Sequence, residues 1–412
     1  MESHATMIRP SQVDDREPAR AWRSLAGVAA LIAACLAPSA VMAEEAAASD
    51  DTLSIASWGG AYGESQNVAY FEPFTKRTGI KISAGTYDGS LAAIKAKLGE
   101  FDVVDLSPVV LDALCGEGLL EKIDSSMLEA GPGGEGAESD YLAGAFRPCG
   151  VASMAWATAI TFDRQALAKA KPTQIADLLD LKRFPGKRAL PNGPRYTLEF
   201  ALLADGVAPA DIYRELGTPE GVDRAFAVLD KIKSEILWWE NAQDALTWLT
   251  QKKASMAAAY SGRIFRTALG ARHLEVLWDG QIYDLDLWAI PKDANNTDDA
   301  KRFIAFASTP GQMAAQAELI AYGPMRKSAV ELVGKHPSID IDVKPYLPTA
   351  PANFAKALQF DETWWKQHGE ELGKRFRAWR EQTSAAAAEG AESASPAPSQ
   401  PEKPAGEGTA SP

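Results

Sequence analysis

Aromatic rings and carboxylates recur side by side in this chain, and together they suit one kind of chemistry, the holding of an organic cation. In "YDLDLW" the two-residue period of a strand sends Tyr283, Leu285 and Leu287 to one side and Asp284, Asp286 and Trp288 to the other. Two acids and an indole then share a face, although a solvated edge strand with its polar residues outward would give the same alternation. In "SWGGAYGES", Trp58 and Tyr62 flank Gly59 and Gly60 just past the apolar run "LSIA", where glycine permits close backbone approach. Asp105 stands at the carboxyl end of "FDVVDLS", where it either faces a binding crevice or caps the next helix. A ring face attracts an ammonium group by about 0.5 to 2 kcal/mol, and a carboxylate adds a charge-assisted hydrogen bond.

Conventional catalytic equipment does not accompany these residues. His4, His273, His336 and His368 are scattered singly, without metal-ligand spacing, so neither a metal site nor a cofactor is expected. There is no GxSxG elbow and no phosphate-binding GxxxxGK[ST]. "GPGGEG", residues 131–136, satisfies GxGxxG as a string, but no strand leads into it, and its acid would repel a phosphate. The rival from another class is a secreted lyase or hydrolase using Asp105, Asp284 and Asp286 as acid and base, with no nucleophile beside them.

The elements that must position these residues alternate strand and helix. "LSIAS", a helix over "ESQNVAYFEPFTKRTG", "IKISAG", a helix capped by Ser90 over "LAAIKAKLG", and "FDVVDLS" read as βαβαβ, with Gly79 at a helix C-terminus and Pro108 ending a strand. A second alternating set begins near "ASMAWATAITFD", and "QIYDLDLWAIPKD" returns the chain toward the first. The expected class is α/β, two lobes each built on a mostly parallel sheet flanked by helices. Lobe 1 is placed at residues 51–157 plus 287–324, and lobe 2 at 158–286 plus 325–381. The composition changes at 383–412 to a tail poor in large apolar residues, which is expected to be disordered.

With 412 residues and 46% hydrophobic content, the chain can bury two cores. A net charge of −13 argues against nucleic acid and anionic membrane surfaces; it suits a cationic solute, and also simple solubility. Arg20 and Arg23 precede a short apolar run ending near Ala43, so residues 1–43 read as a cleaved secretory signal. "IAAC" ending at Cys35 also fits a lipoprotein box, which would leave a lipid-anchored protein. After cleavage at 43, Cys115 and Cys149 remain, an even pair in an oxidising compartment; a disulfide is the leading reading and two unpaired thiols the alternative.

In their order, "SWGGAYGES", "FTKRTGIKI", "FDVVDLS", "CGEGLLEKID", "PCGVASMAWAT", "RYTLEFALLADGV", "ASMAAAYSGRI", "DLWAIPKDA", "KRFIAFAS" and "YGPM" resemble the periplasmic substrate-binding proteins of bacterial ABC importers, in particular the spermidine/putrescine-binding branch. The resemblance implies a periplasmic, monomeric, non-enzymatic receptor of type II-like fold. Its two lobes are joined by crossing hinge strands, with a polyamine held between them and delivered to a membrane permease. It also implies a ligand site at Trp58, Tyr62, Tyr260, Asp286 and Tyr322. Gly60, Asp105 and Asp284 join that site from the reading of the turn and the strands.

One stretch departs from the polyamine pattern: "PNGPRYTLE" offers Arg195 and Tyr196 where acids are common, and Arg263 follows Tyr260. If both arginines face the cleft, a zwitterionic amine or amino-acid derivative such as an opine fits better than a linear polyamine. For Arg195 the alternative is a surface ion pair with Glu199.

Overall fold

The computed structural model describes residues 52–167 and 169–393. The segment expected to be a secretory signal, with Cys35, and the end of the tail lie outside the described residues. The first unit is built as its punctuation predicts. Strands β1 (Thr52–Ser57), β2 (Lys81–Thr86) and β3 (Val103–Leu106) pair in parallel in the order β2-β1-β3. Gly79 ends the helix Glu72–Thr78 in the left-handed region at φ 81°, and Ser90 Oγ accepts from Ala93 N at 3.1 Å to cap Leu91–Lys97. The helix expected over 64–79 is not uniform: α-helices Gly60–Gln66 and Glu72–Thr78 flank a π-helical turn, Asn67–Phe71. That turn carries three consecutive buried residues, Ala69, Tyr70 and Phe71, which a regular 3.6-residue stripe would split.

Strands β4 (Phe146–Arg147), β5 (Gly150–Asp163), β6 (Arg188–Pro191), β7 (Ile236–Trp239), β8 (Met256–Tyr260), β9 (Leu274–Ala289) and β10 (Leu358–Gln359) complete one mixed sheet. Its order is β2-β1-β3-β9-β5-β8-β6-β7, with β4 beside β5 and β10 beside β9. Within each half the pairing is mostly parallel; the long β5 and β9 run antiparallel to each other and to their outer neighbours β8 and β3. Both are buried along nearly their whole length, and alanines at 152, 155, 157 and 159 leave room for packing on both faces.

The two strands thread two apolar cores. One gathers Leu53 through Ala157 with Tyr283 to Ala329, the other Ile160 through Ile282 with Leu358 to Trp379. A third crossing lies at Gly323, which exchanges backbone hydrogen bonds of 2.7 and 2.8 Å with Ala155. The chain does not change cores at 325: Met325 and Ala329 belong to the first core, and Val330 to Ala350 form a third with Phe265, Ala314 and Ala317. The buried pair Arg326–Asp140, at 2.7 Å, ties this crossing to the loop after "GPGGEG", where Gly131 N donates to Glu135 O at 2.8 Å.

Cys115 and Cys149 form a disulfide, with Cα atoms 5.9 Å apart. The closing helix, Glu362–Ser393, runs eleven residues past the expected start of the tail at 383, where "SAAAAEGAES" supplies strong helix formers.

Candidate ligand site

A hollow of about 280 Å³ opens where β1, β3 and β8 end and where the crossing strands β5 and β9 run side by side. Its floor is a cross-strand pattern. Asp284 lies opposite Trp156, and Asp286 opposite Met154, next to a bulge between Ala152 and Met154. β9 is therefore a central strand, and the edge-strand alternative falls: the two acids are only 7% and 5% exposed. Trp288 continues the same face but leaves the hollow, its ring packed against Tyr70 and Phe303 in the first core.

The walls come from three directions. Trp58 and Tyr62 stand after β1, where Gly59 and Gly60 take φ of 70° and 56°; a Cβ at Gly59 would come within 2.7 Å of Thr86. Tyr260 and Arg263 come from the end of β8 and the first turn of the helix Ser261–Gly270. Tyr322 comes from the third crossing and meets Tyr62 edge-on, with ring centroids 5.6 Å apart. Tyr322 rests on bare backbone, for a Cβ at Gly262 would lie 2.5 Å from its ring.

The electrostatics are unbalanced in a telling way. The Asp286 carboxylate accepts no hydrogen bond from any described residue, and Asp284 accepts only one, from Leu285 N at 2.8 Å. Burial pushes the Asp284 carboxyl up to about 7; burial, then the charges of Asp105 and Asp284, hold Asp286 well above the usual range. Two desolvated acids with a single donor between them make a site that gains by receiving a cation. Arg263, exposed at the rim, forms no ion pair with any described residue.

Not every expected residue enters the hollow. Asp105 is fully buried behind it, its Oδ2 accepting from Tyr62 Oη at 2.8 Å, Gln66 Nε2 at 2.8 Å and Ser57 Oγ at 3.1 Å. It holds the tyrosine rather than capping the next helix, which opens at Pro108 after Ser107. Gly60 faces a separate depression beside β2.

Arg195 points away and forms a two-pronged pair with Glu362 at 2.9 and 3.1 Å. Its expected partner Glu199 is instead buried, accepting from Trp365 Nε1 at 2.6 Å and Tyr213 Oη at 3.3 Å. Tyr196 stands behind Tyr260, centroids 6.5 Å apart, rather than in the hollow. Met154, Trp156 and Ser107 line the hollow without having been expected there. The signal for the first two was present in "SMAWAT", whose large residues recur with the same two-residue period as the acids opposite. Among the described residues, no cluster of histidine, cysteine, aspartate and glutamate is placed to hold a metal ion.

A family model for bacterial extracellular solute-binding proteins matches residues 69–348. The chain is 41% identical over 341 residues to a gamma-aminobutyric acid-binding protein of Pseudomonas aeruginosa, covering 82% of this chain and 93% of that protein. It is 26% identical over 306 residues to the spermidine/putrescine-binding periplasmic protein of Escherichia coli, covering 69% and 85%. The crystal structure of an ABC transporter substrate-binding protein from Bradyrhizobium japonicum superposes with a TM-score of 0.64 at 31% identity, covering 80% of this chain and 99% of that one.

Proposed function

The chain belongs to the bacterial extracellular solute-binding protein family and is a solute receptor of an ABC importer; from that premise we propose that its ligand is a small zwitterionic amine of the γ-aminobutyric acid class. One observation carries the reading. Two buried acids short of donors and one arginine without an ion pair line a single aromatic hollow, offering a place for an ammonium group and another for a carboxylate. The ammonium lies against Asp284 and Asp286 among the faces of Trp58, Trp156 and Tyr260, and the carboxylate reaches Arg263. The volume suits a compact solute, at the small end for ligand pockets. The binding relative named for gamma-aminobutyric acid points the same way.

The linear polyamine remains the second reading, favoured by the paired acids and by the spermidine/putrescine-binding relative. With Arg195 paired to Glu362, the cation lining the hollow that disfavours a polyamine is Arg263. In either case the function is capture and delivery to a permease from the periplasm, without turnover.

Calorimetry with γ-aminobutyric acid, putrescine and butylamine separates these readings. The amino acid is expected to bind at least about tenfold more tightly than either amine, a difference of about 1.4 kcal/mol. Arg263→Gln should remove most of that advantage while leaving butylamine binding no weaker. Preference for putrescine in the wild type, retained in Arg263→Gln, would overturn the zwitterion in favour of the polyamine.

A further inference from the structure

Tyr260 has a second side. Behind it lies a separate chamber of about 470 Å³, between the loop after β6 and the helix Glu362–Ser393, and the tyrosine lines both spaces. The ring is held edge-on by three neighbours: Trp156 at 5.6 Å and 84°, Trp239 at 6.4 Å and 78°, and Tyr196 at 6.5 Å and 80°. Its hydroxyl bonds to no described residue, so packing alone sets its place. The rearmost support is itself constrained. Tyr196 adopts φ 65°, a costly conformation for a residue with a side chain, and its ring packs tilted against Phe360, centroids 4.8 Å apart.

The two spaces differ in chemistry. The hollow in front holds the buried acids and the arginine. The chamber behind is lined by Trp239 with Asn192, Glu240, Lys366 and Glu370, a mixture of an aromatic ring, donors and acceptors suited to a hydroxylated chain. Asp284 lies opposite Trp156, and the Trp156 ring meets Tyr260 edge-on at 5.6 Å, so a nitrogen held by that acid lies beside the wall that Tyr260 forms. A substituent on that nitrogen would run into Tyr260.

We propose that Tyr260 is the specificity gate of this receptor. Its ring confines the site to a compact amino acid, and without it the hollow and the rear chamber become one site for amino acids carrying a hydroxylated substituent on nitrogen. The inference rests on the zwitterion reading above.

The test compares γ-aminobutyric acid with its N-glucityl derivative, the product of reductive amination with glucose, by calorimetry on the wild type, Tyr260→Phe, Tyr260→Leu and Tyr260→Ala. The wild type and Tyr260→Phe should bind the small compound and reject the large one by at least about tenfold. Tyr260→Ala and Tyr260→Leu should bind the small compound more weakly by at least about tenfold and the large one more tightly than the wild type does. Equal affinity of the wild type for both compounds, or rejection of the large one by whichever of the Leu and Ala variants retains the wild-type circular dichroism, would overturn the gate and leave the zwitterion reading standing. Failure of the wild type to bind γ-aminobutyric acid would overturn that reading, and the gate with it.

Discussion

Asp286 concentrates the problem this site poses: a carboxylate 5% exposed, with no donor from the described residues and two further acids, Asp105 and Asp284, acting on it. A lone buried charge of this kind is costly, and an incoming ammonium group removes the cost by supplying both charge and donors. Asp286→Asn is therefore expected to weaken an amine ligand by at least about tenfold. Asp105 acts at one remove. It organises Tyr62, Gln66 and Ser57, and its charge raises the Asp286 carboxyl. Asp105→Asn keeps an acceptor for Tyr62, Gln66 and Ser57 but removes the charge that strengthens those bonds and turns an amide N–H toward Ser153 Oγ, a loss of about 1 to 3 kcal/mol. Affinity should fall by about tenfold. The midpoint of affinity against pH should also move down, because one of the charges opposing ionisation of Asp286 is gone. A weakened variant with an unmoved midpoint would show that Asp105 acts on the ring alone.

At the scale of the element, β9 carries its acids through the centre of the sheet, where burial raises them, and pH dependence follows with opposite signs for stability and for binding. Asp284, moved from 3.8 to about 7, is held protonated by the fold. Without ligand, its contribution to stability is present below about pH 4 and lost as pH rises through about 7. Glu199, also buried and pushed up to about 7, adds to that trend but lies outside the hollow. Binding of a cation runs the other way, since it requires the ionised pair: affinity should rise as pH passes upward through about 7, the value to which Asp284 is raised, with proton release on binding. Calorimetry in buffers of different ionisation enthalpy reads that release directly, and a flat profile would remove the acids from ligand recognition. The strand's alternation was legible in the sequence, whereas its depth was not. β3 and β5, drawn from distant parts of the chain, are what cover it.

At the scale of the molecule, the hollow takes walls from both halves of the sheet, Trp58 and Tyr62 after β1 and Tyr260 and Arg263 after β8, and from the crossing at Tyr322, so a ligand bridging them favours the closed arrangement over any in which they part. Ligand at about a hundred times its Kd should stabilise the protein by about 2.7 kcal/mol, raise Tm and reduce the radius of gyration in solution scattering. A rise in Tm without compaction would mean that the lobes are already closed before binding.

The sequence by itself determined the α/β class, the βαβαβ opening with its Gly79 and Ser90 punctuation, the cysteine pair and the shared face of Asp284 and Asp286, because periodicity and turn chemistry act over a few neighbouring residues, whereas Tyr260 and Tyr322 follow from the family resemblance. Only the tertiary structure decided that Asp105 stands behind the site, that Arg195 is spent on Glu362, that Trp156 and Met154 face the acids, and that Tyr260 divides two chambers. Each of those outcomes depends on a partner far along the chain, brought near by the packing of one half against the other, and no local pattern encodes it.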